Sequence, residues 1–272
     1  MPEGDTLFIA AQKVGSVLTG RVVTRFESPL PELKEQGVEG HVVSRVRAQG
    51  KYLIIELDDD RAFLSHLRMQ GTWFAQEKAA MRESLRVKTA RHVRWDDEQT
   101  TLIIETATSV AILSRAAVAV LAPLAEIERR VSSLGPDLLS PDYDQAEALA
   151  RLRDHPESTI AEALMLQSIV AGIGNVYKSE ILFLEKVSPF VSVSSLDDAT
   201  LERLLKRARD LMRRNLKGPR RTTFGSFAGM RFFVYERSGQ HCLKCDAKIG
   251  MLRQGNLQRS TYFCPECQGV SA

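Results

Sequence analysis

Two Cys-x2-Cys knuckles, Cys242-Leu-Lys-Cys245 and Cys264-Pro-Glu-Cys267, use all four cysteines of this 272-residue chain and are separated by 18 residues. The spacing suits a tetrahedral zinc site, in which four thiolates at ~2.3 Å close the coordination sphere. Disulfides are the alternative, and an intracellular chain disfavours them. A closed four-sulfur site has no open position, so the expectation is one structural Zn2+ with no part in chemistry. Apolar patches at 249–252 and 261–263 read as the strands of a metal-held hairpin, with Gln258-Arg259-Ser260 near its tip. Such a module buries little core of its own, which points to a group that must be held rigidly. Arg259 is the candidate, as a phosphate contact; a plain surface arginine is the bland alternative.

The rest of the chain is long enough for two or three domains, with 44% hydrophobic and 26% charged residues. No apolar run approaches ~18 residues and the opening Met1–Thr6 stretch is acidic. A cytoplasmic, intracellular protein with no membrane span or signal peptide is therefore expected. Net charge is only +3, but residues 203–231 hold ten basic residues against the single acid Asp210. Such a run either tracks a phosphate backbone or forms a solvated helix face.

Periodicity divides the chain. Leu7, Ala10, Ala11, Val14 and Leu18 recur at helical spacing, predicting an amphipathic helix over 5–19. Short runs at 21–27, 41–47, 51–57, 62–67, 72–75, 92–95, 102–105 and 110–114 then read as strands of an antiparallel sandwich or barrel. Helical spacing returns over 117–130, 144–155, 158–170, 175–186 and 195–216. Gly135-Pro136-Asp137 and Ser140-Pro141-Asp142 look like a hinge. Past Lys217-Gly218-Pro219 the chain reads as loop, including Thr222-Thr223-Phe224-Gly225-Ser226. The expected fold is α+β and multidomain.

Met1-Pro2-Glu3 adds chemistry. Removal of Met1 would leave Pro2 as a terminal secondary amine, whose pKa of ~7.7–8.0 keeps far more of it neutral at pH 7 than a lysine at ~10.4. Such an amine can attack a sugar carbon and go directly to an iminium, with Glu3 moving protons. A proline at position 2 more often only governs methionine removal.

In order along the chain, Met1-Pro2-Glu3-Gly4, Gly50-Lys51-Tyr52-Leu53, Ser65-His66-Leu67-Arg68-Met69, Leu134-Gly135-Pro136-Asp137, Ala171-Gly172-Ile173-Gly174-Asn175-Val176-Tyr177 and Arg259-Ser260-Thr261-Tyr262-Phe263-Cys264-Pro265 resemble the formamidopyrimidine-DNA glycosylase / endonuclease VIII family. The resemblance spans essentially the whole chain. It implies a catalytic β-sandwich with an N-terminal helix at 1–122, a helix-two-turns-helix DNA-binding domain at 123–228 hinged at about 131–142, and a zinc-finger hairpin at 229–272. It also implies a bifunctional DNA glycosylase and AP lyase of base excision repair, monomeric and acting on damaged double-stranded DNA, with single-stranded or bubble DNA left open. Pro2 would be the Schiff-base nucleophile, Glu3 the acid/base and Lys51 a proton donor or electrostatic stabiliser. Arg259 would hold the phosphates flanking the lesion, and Asn175 would contact phosphate. Gly172 and Gly174 free backbone N–H groups at a helix N-terminus for a close anion. Arg68 is a candidate DNA contact, and Met69 is the candidate filler of the space left by a flipped base, as an apolar wedge or else a core residue.

Departures from the family pattern bear on the substrate. Asp5-Thr6 stands where proline and glutamate are common, and Ser133 where an arginine is. Leu113-Ser114-Arg115-Ala116-Ala117 lacks the Arg-Arg-Phe-Gly run of the oxidised-purine form. The last favours the endonuclease VIII branch and oxidised pyrimidines; an oxidised-purine enzyme and a non-catalytic zinc-finger nucleic-acid-binding protein are the alternatives.

Overall fold

A computed structural model describes residues 2–80, 99–218, 220–224, 229–256 and 258–270. Met1, the strand expected at 92–95 and the loop residues Pro219, Gly225 and Ser226 lie outside them. The chain divides into two compact units, Met1–Pro2 with Thr6–Ser133, and Glu3–Asp5 with Leu134–Ala272.

The first unit holds most of α1 (Gly4–Leu18) and two four-stranded antiparallel sheets. One runs in the order β1 (Val23–Glu27), β6 (Thr100–Thr106), β7 (Ser109–Ser114), β5 (Thr72–Glu77). The other runs β2 (Val43–Gln49), β3 (Tyr52–Leu57), β4 (Arg61–His66), β8 (Val118–Pro123). Leu53, Ile55 and Phe63 from one sheet meet Leu102, Ile104, Ala111 and Leu113 from the other, and Leu7, Ala11, Val14 and Leu18 of α1 join the same core. Alternation puts these side chains on one face and fixes the register, because a one-residue slip would invert every strand.

Residues 117–130 correct the expected helix. Val118–Pro123 is a strand paired with β4, Phe63 opposite Leu121, and helix α2 covers only Leu124–Val131. The valines suit a pleated edge, and Pro123 stands at the N-cap, where it ends the ladder and opens the helix.

The second unit is helical, with a small β-hairpin. Its helices are α3 (Gln145–Arg153), α4 (Ile160–Ala163), α5 (Asn175–Leu184) and α6 (Asp198–Asn215). Residues 158–170 form no long helix. Thr159 caps the single turn of α4, after which Gln167 C=O accepts from Gly135 N–H at 2.8 Å and Ala171 N–H donates to Pro136 C=O at 3.0 Å. Backbone groups spent on 135–137 are unavailable to an i→i−4 ladder. Strands β9 (Gly250–Gln254) and β10 (Arg259–Phe263) form the C-terminal hairpin. Its core joins Phe183 of α5 to Val234, Cys242, Ile249 and Cys264.

Candidate active site and metal centre

Glu3 is fully buried although it is the third residue of the chain. Its carboxylate accepts from the backbone N–H groups of Gly174 (3.0 Å), Val176 (2.8 Å) and Tyr177 (3.3 Å), at the N-terminus of α5. Unpaired N–H groups and the helix dipole make this a seat for an anion, and the chain's own carboxylate fills it. Gly174 permits the approach: a Cβ there would lie 2.5 Å from Glu3 Cδ. Gly4 N–H donates to Gly172 C=O at 2.9 Å, fixing the next residue. Tyr235 lies in the same field, its phenol pushed up by burial and then by the charges of Glu236 and Glu3.

Pro2, Lys51, Arg68 and Met69 belong to the first unit, where Pro2 is partly buried. Lys51 is in a turn rather than in a strand. Gln49 pairs with Tyr52, so Gly50-Lys51 is a two-residue hairpin turn, and Gly50 takes φ +57° at its first position. Arg68 and Met69 likewise lie in the turn after β4. Arg68 has φ +46° and its N–H donates to His66 Nδ1 at 3.0 Å, while Met69 is 67% exposed and so outside the core. Lys51 and Arg68 both act on His66. Burial first, then these two cations, lower its pKa to about 4, so His66 is neutral at pH 7.

Lys178, a lysine that is 1% exposed, ties Asn175 to the hairpin strand that begins at Arg259. Its ammonium donates to Asn175 Oδ1 (3.2 Å), Ser260 C=O (3.0 Å) and Thr261 Oγ1 (2.8 Å). An ammonium only donates, so it meets the amide oxygen and turns the Asn175 NH2 the other way. Arg259 Nε is buried with no hydrogen-bond partner among the described residues. A buried donor left in that state is a place for an incoming acceptor.

A family model described as the formamidopyrimidine-DNA glycosylase N-terminal domain matches residues 1–106, and one described as the formamidopyrimidine-DNA glycosylase H2TH domain matches 134–225. The chain is 38% identical to "Probable endonuclease 8 2" of Streptomyces coelicolor, covering 100% of this chain and 95% of that one. The chain belongs to the formamidopyrimidine-DNA glycosylase / endonuclease VIII family. It is also 33% identical to "DNA-(apurinic or apyrimidinic site) lyase Nei2" of Mycolicibacterium smegmatis over the full length of both. A Lactococcus lactis Fpg in complex with abasic-site DNA shares the fold, with TM-score 0.78 over 98% of this chain and 99% of that one at 24% identity.

The four cysteines of this family member fit a metal. Their sulfurs all lie within 4.8 Å of one another, with Cys242–Cys267 at 3.8 Å and Cys245–Cys264 at 3.4 Å. Tetrahedral zinc with ~2.3 Å bonds asks for sulfurs about 3.8 Å apart. Lys244 N–H points at Cys242 Sγ (3.4 Å) and Cys267 N–H at Cys264 Sγ (3.5 Å), as suits thiolate acceptors. A second group, His41 with Asp58 and Asp59, has comparable spacing but is partly exposed and internally paired.

The basic run is largely engaged within the protein. Arg207 donates to Glu185, Arg209 to Ser140 C=O, Arg214 to Thr222 and Thr223 C=O, Arg231 to Arg221 C=O, and Arg221 pairs with buried Asp5. Sequence reasoning missed Lys178, His66, Arg221 and Glu180. Glu180 is fully buried and accepts from the N–H groups of Phe233, Val234 and Tyr235. Periodicity gives no signal for these residues, since each is a polar side chain in a buried or half-buried position. Lys178 and Glu180 directly follow the recognised Asn175-Val176-Tyr177, and that proximity was the available hint.

Proposed function

We propose that this chain is a bifunctional DNA glycosylase and AP lyase of base excision repair that removes oxidised pyrimidines. The observation carrying this is the seat of Glu3: a carboxylate next to the candidate nucleophile is fixed on α5 by three backbone N–H bonds. With Met1 removed, the Pro2 nitrogen attacks C1′ of the damaged nucleotide and the base leaves with the C1′–N bond pair; the amine loses its proton and the C1′–O4′ bond then opens onto a protonated O4′, leaving an iminium. Glu3 protonates the sugar oxygen and shuttles protons, and Lys51 supplies a proton or a stabilising charge. Loss of the 3′ phosphate by β-elimination and of the 5′ phosphate by δ-elimination then nicks the strand. Arg259 and the NH2 of Asn175 hold the flanking phosphates, Gly174 keeps the anion seat open to Glu3, Arg68 contacts the DNA, and exposed Met69 fills the gap left by the flipped base.

Zinc bound by Cys242, Cys245, Cys264 and Cys267 holds the hairpin that carries Arg259 and takes no part in the reaction. The working division is 1–122 for chemistry, 123–228 for helix-two-turns-helix binding and 229–272 for the zinc hairpin. The protein acts as a monomer on damaged duplex inside the cell, at the nucleoid; a lesion panel including single-stranded and bubble DNA ranks its substrates. For the pyrimidine class, the support is the similarity to "Probable endonuclease 8 2" and the lack of an Arg-Arg-Phe-Gly run at Leu113-Ser114-Arg115-Ala116-Ala117.

Borohydride with abasic-site DNA tests the mechanism. The processed protein should give a covalent adduct at Pro2, and a form retaining Met1 or extended at its N-terminus should bind without cleaving. Binding of that DNA without any adduct sinks the mechanism and leaves the non-catalytic alternative.

A further inference from the structure

Asp5, where the opening departs from the family pattern, is 2% exposed. Burying a carboxylate costs several kcal/mol unless it is paired and hydrogen-bonded. Its partner is Arg221: Nε donates to Oδ2 at 2.8 Å and Nη2 donates to Oδ1. Tyr177 OH donates to the same Oδ2 at 2.8 Å and in turn accepts from Asn215 Nδ2 at 2.8 Å, while Asn215 Oδ1 accepts from Thr222 N–H at 3.0 Å. The Arg221 guanidinium lies over the Tyr177 ring, 5.3 Å from its centroid, with its side chain only 10% exposed.

The charge of Glu3 also acts on the arginine. Burial works against its cation, but the charge of Glu3, followed by Asp5, outweighs that and raises its pKa. Three consecutive residues are thus anchored in one unit: Glu3 by the helix N-terminus, Gly4 by Gly172 C=O and Asp5 by Arg221 and Tyr177.

We propose that Asp5 and Arg221 are a positioning pair that holds the acid/base Glu3 and, across one peptide bond, the Pro2 amine in attacking geometry. This takes Arg221 out of the phosphate-tracking run and gives the Asp5 departure a function. It rests on the reading of Pro2 and Glu3 as the reacting groups. Attack needs atoms held at about 3–3.5 Å, and a shift of about 1 Å costs as much as a hundredfold in rate.

The test uses Asp5→Asn, Arg221→Met, their double variant and Arg221→Lys, all with Met1 removed. Each is measured for Tm, for binding to DNA with a tetrahydrofuran abasic analogue, and for single-turnover borohydride trapping on abasic DNA. The single neutralising variants should lose Tm, because each strands a buried partner. The double variant should regain Tm and bind the analogue within about twofold of the parent, yet trap at least about tenfold more slowly. Trapping that recovers together with Tm overturns the proposal, since the pair is then only structural. If the double variant does not fold, Arg221→Lys decides: it keeps the charge and loses the two-point fork, so slow trapping at near-parental Tm supports the pair and parental trapping overturns it. A parent that binds the DNA but gives no adduct refutes the Pro2 and Glu3 reading itself, and this proposal falls with it.

Discussion

At the scale of single residues, Gly174 is an exacting position, because a Cβ there would press on the Glu3 carboxyl. Its φ of −125° is open to any residue, so the demand for glycine comes wholly from the Glu3 carboxyl pressed against it. Gly174→Ala should therefore displace Glu3 while α5 still forms, because Gly174 is the N-cap and lies outside the helix's own hydrogen-bonded turns. Borohydride trapping should fall by about a hundredfold with abasic-analogue binding nearly unchanged. Parental trapping by this variant would show that the seat is not needed. The sequence showed that Gly174 and Glu3 belong to one motif set, but it could not show that they touch. The two are 171 residues apart and only the folded chain brings a carboxylate to that N-terminus.

Among elements, α5 shows where sequence reading stops. From Asn175 to Phe183 every residue is buried, including Lys178, Ser179 and Glu180. A helix buried on all sides presents no polar face, so its placement was legible from helical spacing while the fate of its charges was not. The charges are consumed locally, Lys178 by the hairpin and Glu180 by residues 233–235. Strand β8 failed for a related reason. Val118-Ala119-Val120-Leu121-Ala122 is too short and too uniformly apolar for period to separate strand from helix, and pairing with β4 decides it. The β3–β4 pair gives a pH prediction. His66, opposite Tyr52, has a folded pKa of about 4, below the unfolded ~6.5. The unfolded chain then binds its proton first, so stability is constant above pH ~6.5 and declines as pH falls from there toward 4. His66→Gln should flatten that decline in Tm measured against pH. An unchanged profile would exclude His66 as its source.

On the scale of the whole molecule, a net charge of +3 is too small to account for DNA affinity by itself, and the ion pairs of the 203–231 run reduce that contribution further. On the function proposed above, binding rests on a few placed donors, among them Arg259 on the C-terminal hairpin. Chelation should release this hairpin. Hydrogen exchange should rise across Gly250–Gln254 and Arg259–Phe263 while β3, β4, β6 and β7 of the sandwich stay protected. Uniform loss across both units would mean that the metal supports more than the hairpin.

The placement of Glu3 also has a temporal meaning. During synthesis, Glu3 leaves the ribosome some 170 residues before the N–H groups that seat it, and the N–H groups of residues 233–235 that meet Glu180 of α5 emerge later still. A nascent or truncated chain can expose its terminal amine early, yet it has no ordered acid beside it. Residues 233–235 thus complete the burial of the helix whose N-terminus seats Glu3.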